Sequence, residues 1–169
     1  MTDFQVVKPM DYQDRVIDLM ARQWFLLTAG EKESFNTMTC AWGGLGFLWN
    51  RPVCFIFVRP QRYTYEFVEK HDNFTISVFT EEHRAALQYC GTHSGRDVDK
   101  IAETGLTPVF DEKGWIYFDE SRLVIKSRKI YFDDIKEAGF SDPDLLKVYP
   151  EHDFHRIYIG QIEEILQKK

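Results

Sequence analysis

Residues 34–64 read SFNTMTCAWGGLGFLWNRPVCFIFVRPQRYT and combine hydroxyl, amide, indole and guanidinium groups with apolar sequence. Ser34–Thr39 is rich in β-branched and aromatic residues and predicts a strand, and the apolar Val53–Val58 predicts another. Buried polar groups cost free energy unless each one finds a partner. Because a planar, hydrogen-bonding ligand with a phosphate would supply such partners, we interpret this stretch as one side of a ligand site.

Three glycines lie between these two predicted strands, in Gly43-Gly44-Leu45-Gly46. We expect a glycine-rich turn here, where missing side chains let another group approach or allow backbone angles that other residues avoid. Neither the GxGxxG pattern of dinucleotide-binding folds nor the lysine of a P-loop is present. The glycines therefore give no nucleotide signature by themselves.

Further strands are predicted on both sides of this stretch. Trp24–Gly30 is continuously apolar and predicts a buried strand, whereas the alternation of Asn73–Phe79 predicts a strand with one buried face. The other predicted elements are two short strands at 107–110 and 115–118 joined by a hairpin turn, long strands at 121–132 and 154–166, and helices at 11–22, 65–70 and 81–89. Many strands and few short helices predict a mainly β fold, an antiparallel barrel with helices at its rim, in one domain over residues 1–169.

A second polar cluster, Cys90–Lys100, reads CGTHSGRDVDK. Ser94 and Asp97 have the spacing of a capping box, which predicts that a helix begins at Ser94. A helix start beside Arg96 and Lys100 would favour an anion.

Arg59, Arg62 and Thr64 repeat this arrangement, because Thr64 is a plausible N-cap for the predicted helix that follows it. Both clusters are therefore candidates for an anion site. The alternative is that both are ordinary capped surface helices whose charges are solvated.

Composition excludes several classes of protein. A net charge of −6 and a pI near 5.4 argue against nucleic-acid binding, which requires a basic surface. No apolar run approaches the roughly 20 residues of a membrane span and the N-terminus does not resemble a signal peptide, so we expect a cytoplasmic protein that does not bind membranes. The three cysteines, Cys40, Cys54 and Cys90, are too widely spaced to indicate a disulfide framework or a zinc site.

Four motifs occur in order along the chain: Asn36-Thr37-Met38-Thr39-x-x-Trp42, Arg59-Pro60-x-Arg62-Tyr63-Thr64, Ser94-Gly95-Arg96-Asp97-x-Asp99-Lys100 and Asp153-x-His155-x-x-x-x-Gly160-Gln161-Ile162. Together they resemble the flavin reductase domain family, in particular its flavoredoxin-like branch, from about residue 24 to residue 165. The resemblance implies an FMN-binding split β-barrel, an antiparallel Greek-key barrel that forms a homodimer with FMN at the subunit interface.

The resemblance also implies roles for individual residues. Lys100 would lie near the pyrimidine side of the flavin, and His155 near the face where a nicotinamide docks; with Thr39 they form the catalytic set. The isoalloxazine edge would be lined by Asn36, Thr37, Met38 and Thr39, with Trp42 close to the ring. The candidates for the phosphate and ribityl chain are Arg59, Arg62, Thr64, Ser94 and Arg96, and the wider cofactor-binding set adds Tyr63, Cys90 and Gly95.

Three of these residues have ordinary alternatives. Trp42 could belong to the core, His155 could be a satisfied interior histidine, and Lys100 could be a solvated helix charge. The remaining histidines show no metal-binding spacing, and we assign them no role.

The sequence therefore predicts an FMN-dependent oxidoreductase that transfers electrons between NADH or NADPH and flavin or a downstream acceptor. One alternative is a flavoredoxin-type carrier that passes electrons between redox proteins without pyridine nucleotide turnover. The other is a non-catalytic module that binds a different planar ligand. In the first two, the flavin would supply the redox chemistry and the protein would supply position and charge.

Overall fold

Strands dominate the structure, as predicted. The computed structural model describes residues 3–169, and within that range it contains ten strands and four α-helices. The strands are β1 (Phe4–Val7), β2 (Phe25–Glu31), β3 (Ser34–Cys40), β4 (Gly43–Leu48), β5 (Arg51–Val58), β6 (Asn73–Val78), β7 (Pro108–Phe110), β8 (Ile116–Phe118), β9 (Leu123–Asp134) and β10 (Arg156–Lys168). The α-helices are α1 (Val16–Asp18), α2 (Tyr63–Lys70), α3 (Arg84–Thr92) and α4 (Lys100–Thr104). Short 3-10 turns lie at Pro9–Asp11, Glu81–His83, Glu137–Gly139 and Pro143–Val148.

Eight of the strands form one antiparallel sheet. Its order is β3-β2-β6-β9-β10-β5-β4, and β1 pairs with the last residues of β10. The remaining pair, β7 and β8, forms a separate hairpin whose turn lies where the sequence predicts it. The antiparallel, mainly β prediction is confirmed.

The two end strands of this order, β3 and β4, are neighbours in sequence. Only Ala41 and Trp42 separate them, and consecutive Cα atoms are 3.8 Å apart, so Cys40 and Gly43 lie within about 11 Å of each other. The sheet must therefore roll until its two ends meet, yet no β-ladder joins β3 to β4 in the described part of the chain. The result is a barrel with an open seam, while the Greek-key description stays a prediction.

Three hydrophobic clusters pack against the rolled sheet, and two of them cover the two faces of β2. Phe25 and Leu27 of β2 point into the larger cluster, and Leu26 between them points into a smaller cluster with Leu87 of α3. Buried apolar side chains contribute roughly 1.5–3 kcal/mol each, so burial on both faces holds β2 firmly in place. The predicted buried strand at 24–30 is confirmed for residues 25–30, whereas Trp24 precedes the strand and is only partly buried.

The strand predicted at 73–79 is present as β6, but it is buried on both faces, so the prediction of one exposed face is wrong. Thr75 and Ser77, its polar positions, are fully buried under the β7–β8 hairpin and the smaller cluster. Thr75 Oγ1 donates a hydrogen bond to the carbonyl of Ile116, which satisfies the hydroxyl inside the protein. The alternating pattern thus did not mark a solvent-facing side: Thr75 forms an internal hydrogen bond, whereas the hydroxyl of Ser77 is buried without a partner in residues 3–169.

The predicted glycine-rich turn is also wrong, because Gly43–Leu48 is strand β4. A Cβ on Gly43 would lie 2.7 Å from the carbonyl oxygen of Phe55 on the neighbouring strand β5. The missing side chain of Gly43 therefore allows a close approach, as expected, but the approaching group is the backbone of strand β5 and not a ligand.

Helical structure near the N-terminus is shorter than the predicted helix at 11–22. It begins at Val16 in α1 and continues as a π-helical turn over Leu19–Gln23. Asp14 accepts a hydrogen bond from the backbone N–H of Arg15, a local bond that competes with an earlier helix start. The helix predicted at 81–89 is a 3-10 turn followed by α3, which extends to Thr92.

No helix in residues 3–169 is long and apolar enough to cross a membrane.

Candidate functional site

Two adjoining cavities open beside the seam. The first encloses about 130 Å³ and the second about 240 Å³. Met38 and Arg62 line both, so the two cavities form one groove. The first cavity is lined by Asn36, Met38, Gln61, Arg62, Tyr63, Thr64, Gly91, Thr92, His93, Ser94, Gly95 and Lys100. The second is lined by Met38, Thr39, Cys40, Ala41, Trp42, Phe57, Arg59, Arg62 and His155.

The groove confirms that distant polar segments converge, and Asn36 joins three of them. Asn36 Nδ2 donates a hydrogen bond of 2.8 Å to Thr64 Oγ1, which fixes the start of α2 against β3. A Cβ on Gly95 would lie only 2.1 Å from Asn36 Oδ1, so any other residue there would displace the Asn36 side chain or the turn. Thr64 is therefore not an N-cap, because α2 begins at Tyr63 and Thr64 instead accepts a bond from β3.

Lys100 is a buried cation at the base of the first cavity. Its side chain is 5% exposed, and Nζ donates to the carbonyl oxygens of Thr37 at 2.7 Å and Cys90 at 2.9 Å. An ammonium has three N–H donors, so one remains for a ligand. No carboxylate of residues 3–169 pairs with it, and burial lowers the pKa of Lys100 to about 8. The alternative of a solvated helix charge is wrong.

The three arginines predicted near the site differ in how their charges are balanced. Arg59 Nη1 lies 2.7 Å from a carboxylate oxygen of Asp153, and Arg96 pairs with Glu66. Arg62 donates only to the carbonyl oxygen of Gly91, at 3.1 Å, and forms no ion pair within the described chain. Because carbonyls carry no net charge, Arg62 and Lys100 together leave the first cavity with uncompensated positive charge.

The N-terminus of α2 adds to this positive potential. Helix α2 begins at Tyr63 with no side-chain cap, and residues 62–64 line the first cavity. The unpaired N–H groups and the helix dipole at such an end favour an anion.

The second predicted helix start, at Ser94, is wrong. Residues 94–98 form a turn in which Ser94 Oγ accepts from the backbone N–H of Arg96, and the helix α4 begins only at Lys100. Asp99 caps α4 by accepting hydrogen bonds from two backbone N–H groups of its first turn. A carboxylate therefore already occupies this helix end.

Aromatic groups shape the second cavity. Trp42 is 49% exposed, so the alternative that it belongs to the core is wrong, and its ring centroid lies 4.9 Å from that of His155. His155 is 8% exposed, and its Nδ1 is 2.8 Å from the hydroxyl of Tyr149. Burial, helped by the charge of Arg59, lowers the pKa of His155 to about 4, so the imidazole is neutral at pH 7.

Three predicted site residues lie outside the two cavities. The hydroxyl of Thr37 is 2.9 Å from that of Thr28 inside the barrel, and Cys90 is fully buried in the smaller hydrophobic cluster. Arg96 lies over the ring of Tyr63 and pairs with Glu66, and it lines neither cavity. Thr39 does line the second cavity, but its hydroxyl donates to the carbonyl of Leu87.

Sequence reasoning missed several groups in the groove. Gln61 could have been found, because it lies between Arg59 and Arg62 in a motif already singled out. Phe57 was assigned only to an apolar strand, and Tyr149 carried no local signal, because its contact with His155 depends on the fold of the segment before β10.

Comparison with known proteins identifies the family. A family model described as the flavin reductase like domain matches residues 17–169. The chain belongs to this family. The match covers nearly the whole chain, which confirms the family predicted from the four motifs. No protein of curated function matches.

Solved structures of flavoproteins share the fold. Flavoredoxin of Desulfovibrio vulgaris (Miyazaki F) is 26% identical, with 84% of this chain and 67% of that chain covered and a TM-score of 0.65. An FMN-binding domain of a flavin reductases-like enzyme from Shewanella baltica OS155 is 16% identical, with coverages of 98% and 77% and a TM-score of 0.70. The NADH:FAD oxidoreductase SgcE6 of Streptomyces globisporus C-1027, in complex with NAD and FAD fragments, is 14% identical, with coverages of 86% and 74% and a TM-score of 0.64.

Proposed function

We propose that the groove binds FMN and that the protein is an FMN-dependent oxidoreductase, transferring electrons between NADH or NADPH and flavin or a downstream acceptor. The observation that carries this proposal is that Arg62 and Lys100 line the same cavity, although neither has a carboxylate partner in residues 3–169. That cavity opens into a second one with aromatic walls. Burying unpaired charge is costly, so the arrangement is stable when an anion completes it.

The two cavities differ in the part of a flavin that each would suit. The first has Arg62 and the open end of α2, which suit a phosphate. The second has Trp42, Phe57 and Met38, which suit a flat ring system. Lys100 lies in the first cavity, and the role at the pyrimidine side that the resemblance implies for it remains part of this proposal.

A bound flavin would supply the redox chemistry, since it takes a hydride and passes on one or two electrons at a time. The chain's own contribution is position and electrostatics. Lys100 and Arg62 would hold negative charge, Trp42 and Phe57 would contact the flat ring, and β3 would supply main-chain groups along its edge.

The proposal includes a homodimer that forms over β4 and the part of β9 that carries Tyr131, whose ring centroid lies 5.8 Å from that of Trp49 after β4. Strand β4 ends the sheet without a partner on its outer edge among the described residues. Unpaired edges with exposed apolar side chains are association sites. The exposed large side chains on or beside these strands are Trp42, Phe47, Trp49, Tyr131 and Phe132. Because Trp42 belongs both to this surface and to the groove, a second copy would complete the flavin site.

Anaerobic reduction of the FMN-loaded protein, followed by steady-state turnover, tests the activity. NADH or NADPH should bleach the flavin absorbance, and oxidation of the pyridine nucleotide should continue when free FMN is added.

The flavoredoxin similarity, at 26% identity, favours a second candidate, an electron carrier. A carrier would hold FMN but show little turnover with either nucleotide. If the protein took up no FMN, both the oxidoreductase and the electron-carrier proposals would be contradicted. The remaining candidate would be a non-catalytic module that binds another planar ligand.

A further inference from the structure

Tyr149 lies behind His155, on the side away from the second cavity. It is 6% exposed, follows the 3-10 turn Pro143–Val148, and packs its ring 4.9 Å from that of Phe154. Its hydroxyl is 2.8 Å from His155 Nδ1, and the two rings are nearly perpendicular. Packing therefore fixes both the tyrosine and the nitrogen that it bonds.

The other ring nitrogen of His155 is available to a ligand. Nε2 has no hydrogen-bond partner in residues 3–169, and it is not among the buried unpaired polar atoms of that range. His155 lines the second cavity together with Trp42 and Arg59. Nε2 is thus the polar atom that this histidine can offer to a molecule in the cavity.

The identity of the donor in the Tyr149–His155 bond decides what Nε2 offers. A phenol is a stronger acid than a neutral imidazole N–H, and an imidazole nitrogen accepts better than a phenol oxygen, so the tyrosine donates. Arg59 lies 5.1 Å from the ring centroid of Tyr149, so its guanidinium covers one face of the phenol. Burial raises the pKa of Tyr149, so the hydroxyl keeps its proton.

Arg59 is itself held in place for this task. Its guanidinium pairs with Asp153 at 2.7 Å and donates to the carbonyl of Val148 at 2.9 Å. Both partners belong to the segment that carries Tyr149. Arg59 therefore links the end of β5 to this segment, and its charge is already balanced.

We propose that Tyr149 is a positioning residue that fixes His155 as the Nε2–H tautomer, so that the second cavity recognises a planar ligand through an oxygen acceptor such as a carboxamide or carbonyl. The Trp42 ring and the neutral N–H donor suit a flat group with one polar acceptor better than a cation. For the ligand's redox role, this inference rests on the proposed flavin function. The tautomer itself does not depend on it.

Nuclear magnetic resonance of the histidine ring nitrogens at pH 7 tests the tautomer without any ligand. We expect a protonated Nε2 and a bare Nδ1 for His155 in the native protein, and loss of this preference in Tyr149→Phe. Tyr12→Phe is a matched control, since it removes a phenolic hydrogen bond, 2.9 Å to Asp14, outside the groove. A native His155 protonated at Nδ1, or an unchanged tautomer in Tyr149→Phe, would overturn the proposal.

Kinetics with NADH as the probe test the recognition. We expect Tyr149→Phe to raise the KM for NADH roughly two- to tenfold, the value of one neutral hydrogen bond, with the dissociation constant of FMN unchanged. His155→Gln keeps an N–H donor, so adding Tyr149→Phe to it should have no further effect. If Tyr149 only stabilised the fold, Tyr149→Phe would raise the KM for NADH equally in the native protein and in His155→Gln. That result would refute the proposal.

A failure of the flavin proposal would give a different pattern of results. If the native protein bound no FMN, the tautomer measurement would still decide the role of Tyr149. If FMN bound and the tautomer were as expected, but Tyr149→Phe used NADH like the native protein, the proposed recognition through Nε2 would be wrong.

Discussion

Charge balance separates the three arginines that looked equivalent in sequence. Arg59 and Arg96 have carboxylate partners, whereas Arg62 has only a carbonyl acceptor. Sequence alone could not make this distinction, because Asp153 and Glu66 are brought to their arginines by the fold. A paired arginine gains little from a further anion, so Arg62 is the arginine that we expect to bind the phosphate.

The first prediction concerns this difference. Arg62→Ala removes a charge-assisted bond worth roughly 1.5–3 kcal/mol and should weaken FMN binding about ten- to a hundredfold. Arg96→Ala is the matched control, since it deletes the same charge from a partly exposed pair with Glu66 and should change the affinity less than threefold. Isothermal titration with FMN measures both, and an equal loss in the two variants would remove Arg62 from the site.

Lys100 gives a prediction about pH. Its pKa in the free protein is about 8, lowered chiefly by burial, and a bound anion favours the protonated form. FMN affinity should therefore decrease as pH rises through 8 in the native protein. Lys100→Gln should bind FMN more weakly below pH 8, with the two affinities converging above it. Because the flavin's own titrations affect both proteins equally, a constant ratio of dissociation constants from pH 6.5 to 9.5 would contradict the assignment.

The same shift has a consequence for folding. Lys100 has a lower pKa in the folded protein than its ordinary value of 10.5, so between about pH 8 and 10.5 the unfolded chain binds more protons. The contribution of Lys100 to the free energy of unfolding therefore increases with pH over that range. Below pH 8 the cost of the buried charge is fully present unless an anion offsets it.

At the level of elements, local composition predicted the apolar strands well, but it missed the glycine-rich strand β4 and predicted helix starts poorly. Apolar and β-branched runs located β2, β3, β5 and β6, because those residues pack against the barrel wherever the sheet places them. Helix starts depend on which side chain reaches a free N–H. Thr64 bonds Asn36 instead of capping α2, and Asp99 rather than Ser94 caps α4. Those choices are made by tertiary contacts that no short window of sequence contains.

The turn at Gly95 carries the clearest prediction at this scale. In Gly95→Ala the new methyl would lie 2.1 Å from Asn36 Oδ1, so either the Asn36–Thr64 bond or the turn must move. We expect a loss of about 1–3 kcal/mol in stability and weaker FMN binding. Gly139→Ala is the control, because nothing lies within 4 Å of a Cβ there. Thermal melts with and without FMN measure both effects, and equal melting temperatures for the two variants would contradict the close contact.

At the scale of the whole molecule, the open seam explains why the site lies where it does. Strands β3 and β4 are the two edge strands of the sheet, yet only two residues connect them. The barrel wall is therefore incomplete beside Met38 and Trp42, and the groove occupies that gap. The four motifs located the groove from sequence. The pairing of Arg59 with Asp153 and the contact between Tyr149 and His155 could not be predicted, because both depend on how residues 135–155 return to the barrel.

The exposed apolar surface around β4 gives a prediction about assembly. Phe47 is 59% exposed, so Phe47→Glu should leave the fold intact but disrupt association through this surface. Light scattering after gel filtration should show a dimer for the native protein and a monomer for the variant. Val6→Glu, a change at a residue 66% exposed on β1, is the control and should remain dimeric. A monomeric native protein at micromolar concentration would refute the proposed homodimer.

The central claim is that Arg62, a cation without a carboxylate partner in residues 3–169, holds the phosphate of a flavin in the first cavity. Titration of the flavin-free protein with FMN and, separately, with riboflavin tests it most directly, because the two ligands share the ring and differ in the phosphate. We predict that FMN binds at least tenfold more tightly than riboflavin and that this preference is lost in Arg62→Ala. Equal affinity for the two ligands, or no binding of either, would contradict the account.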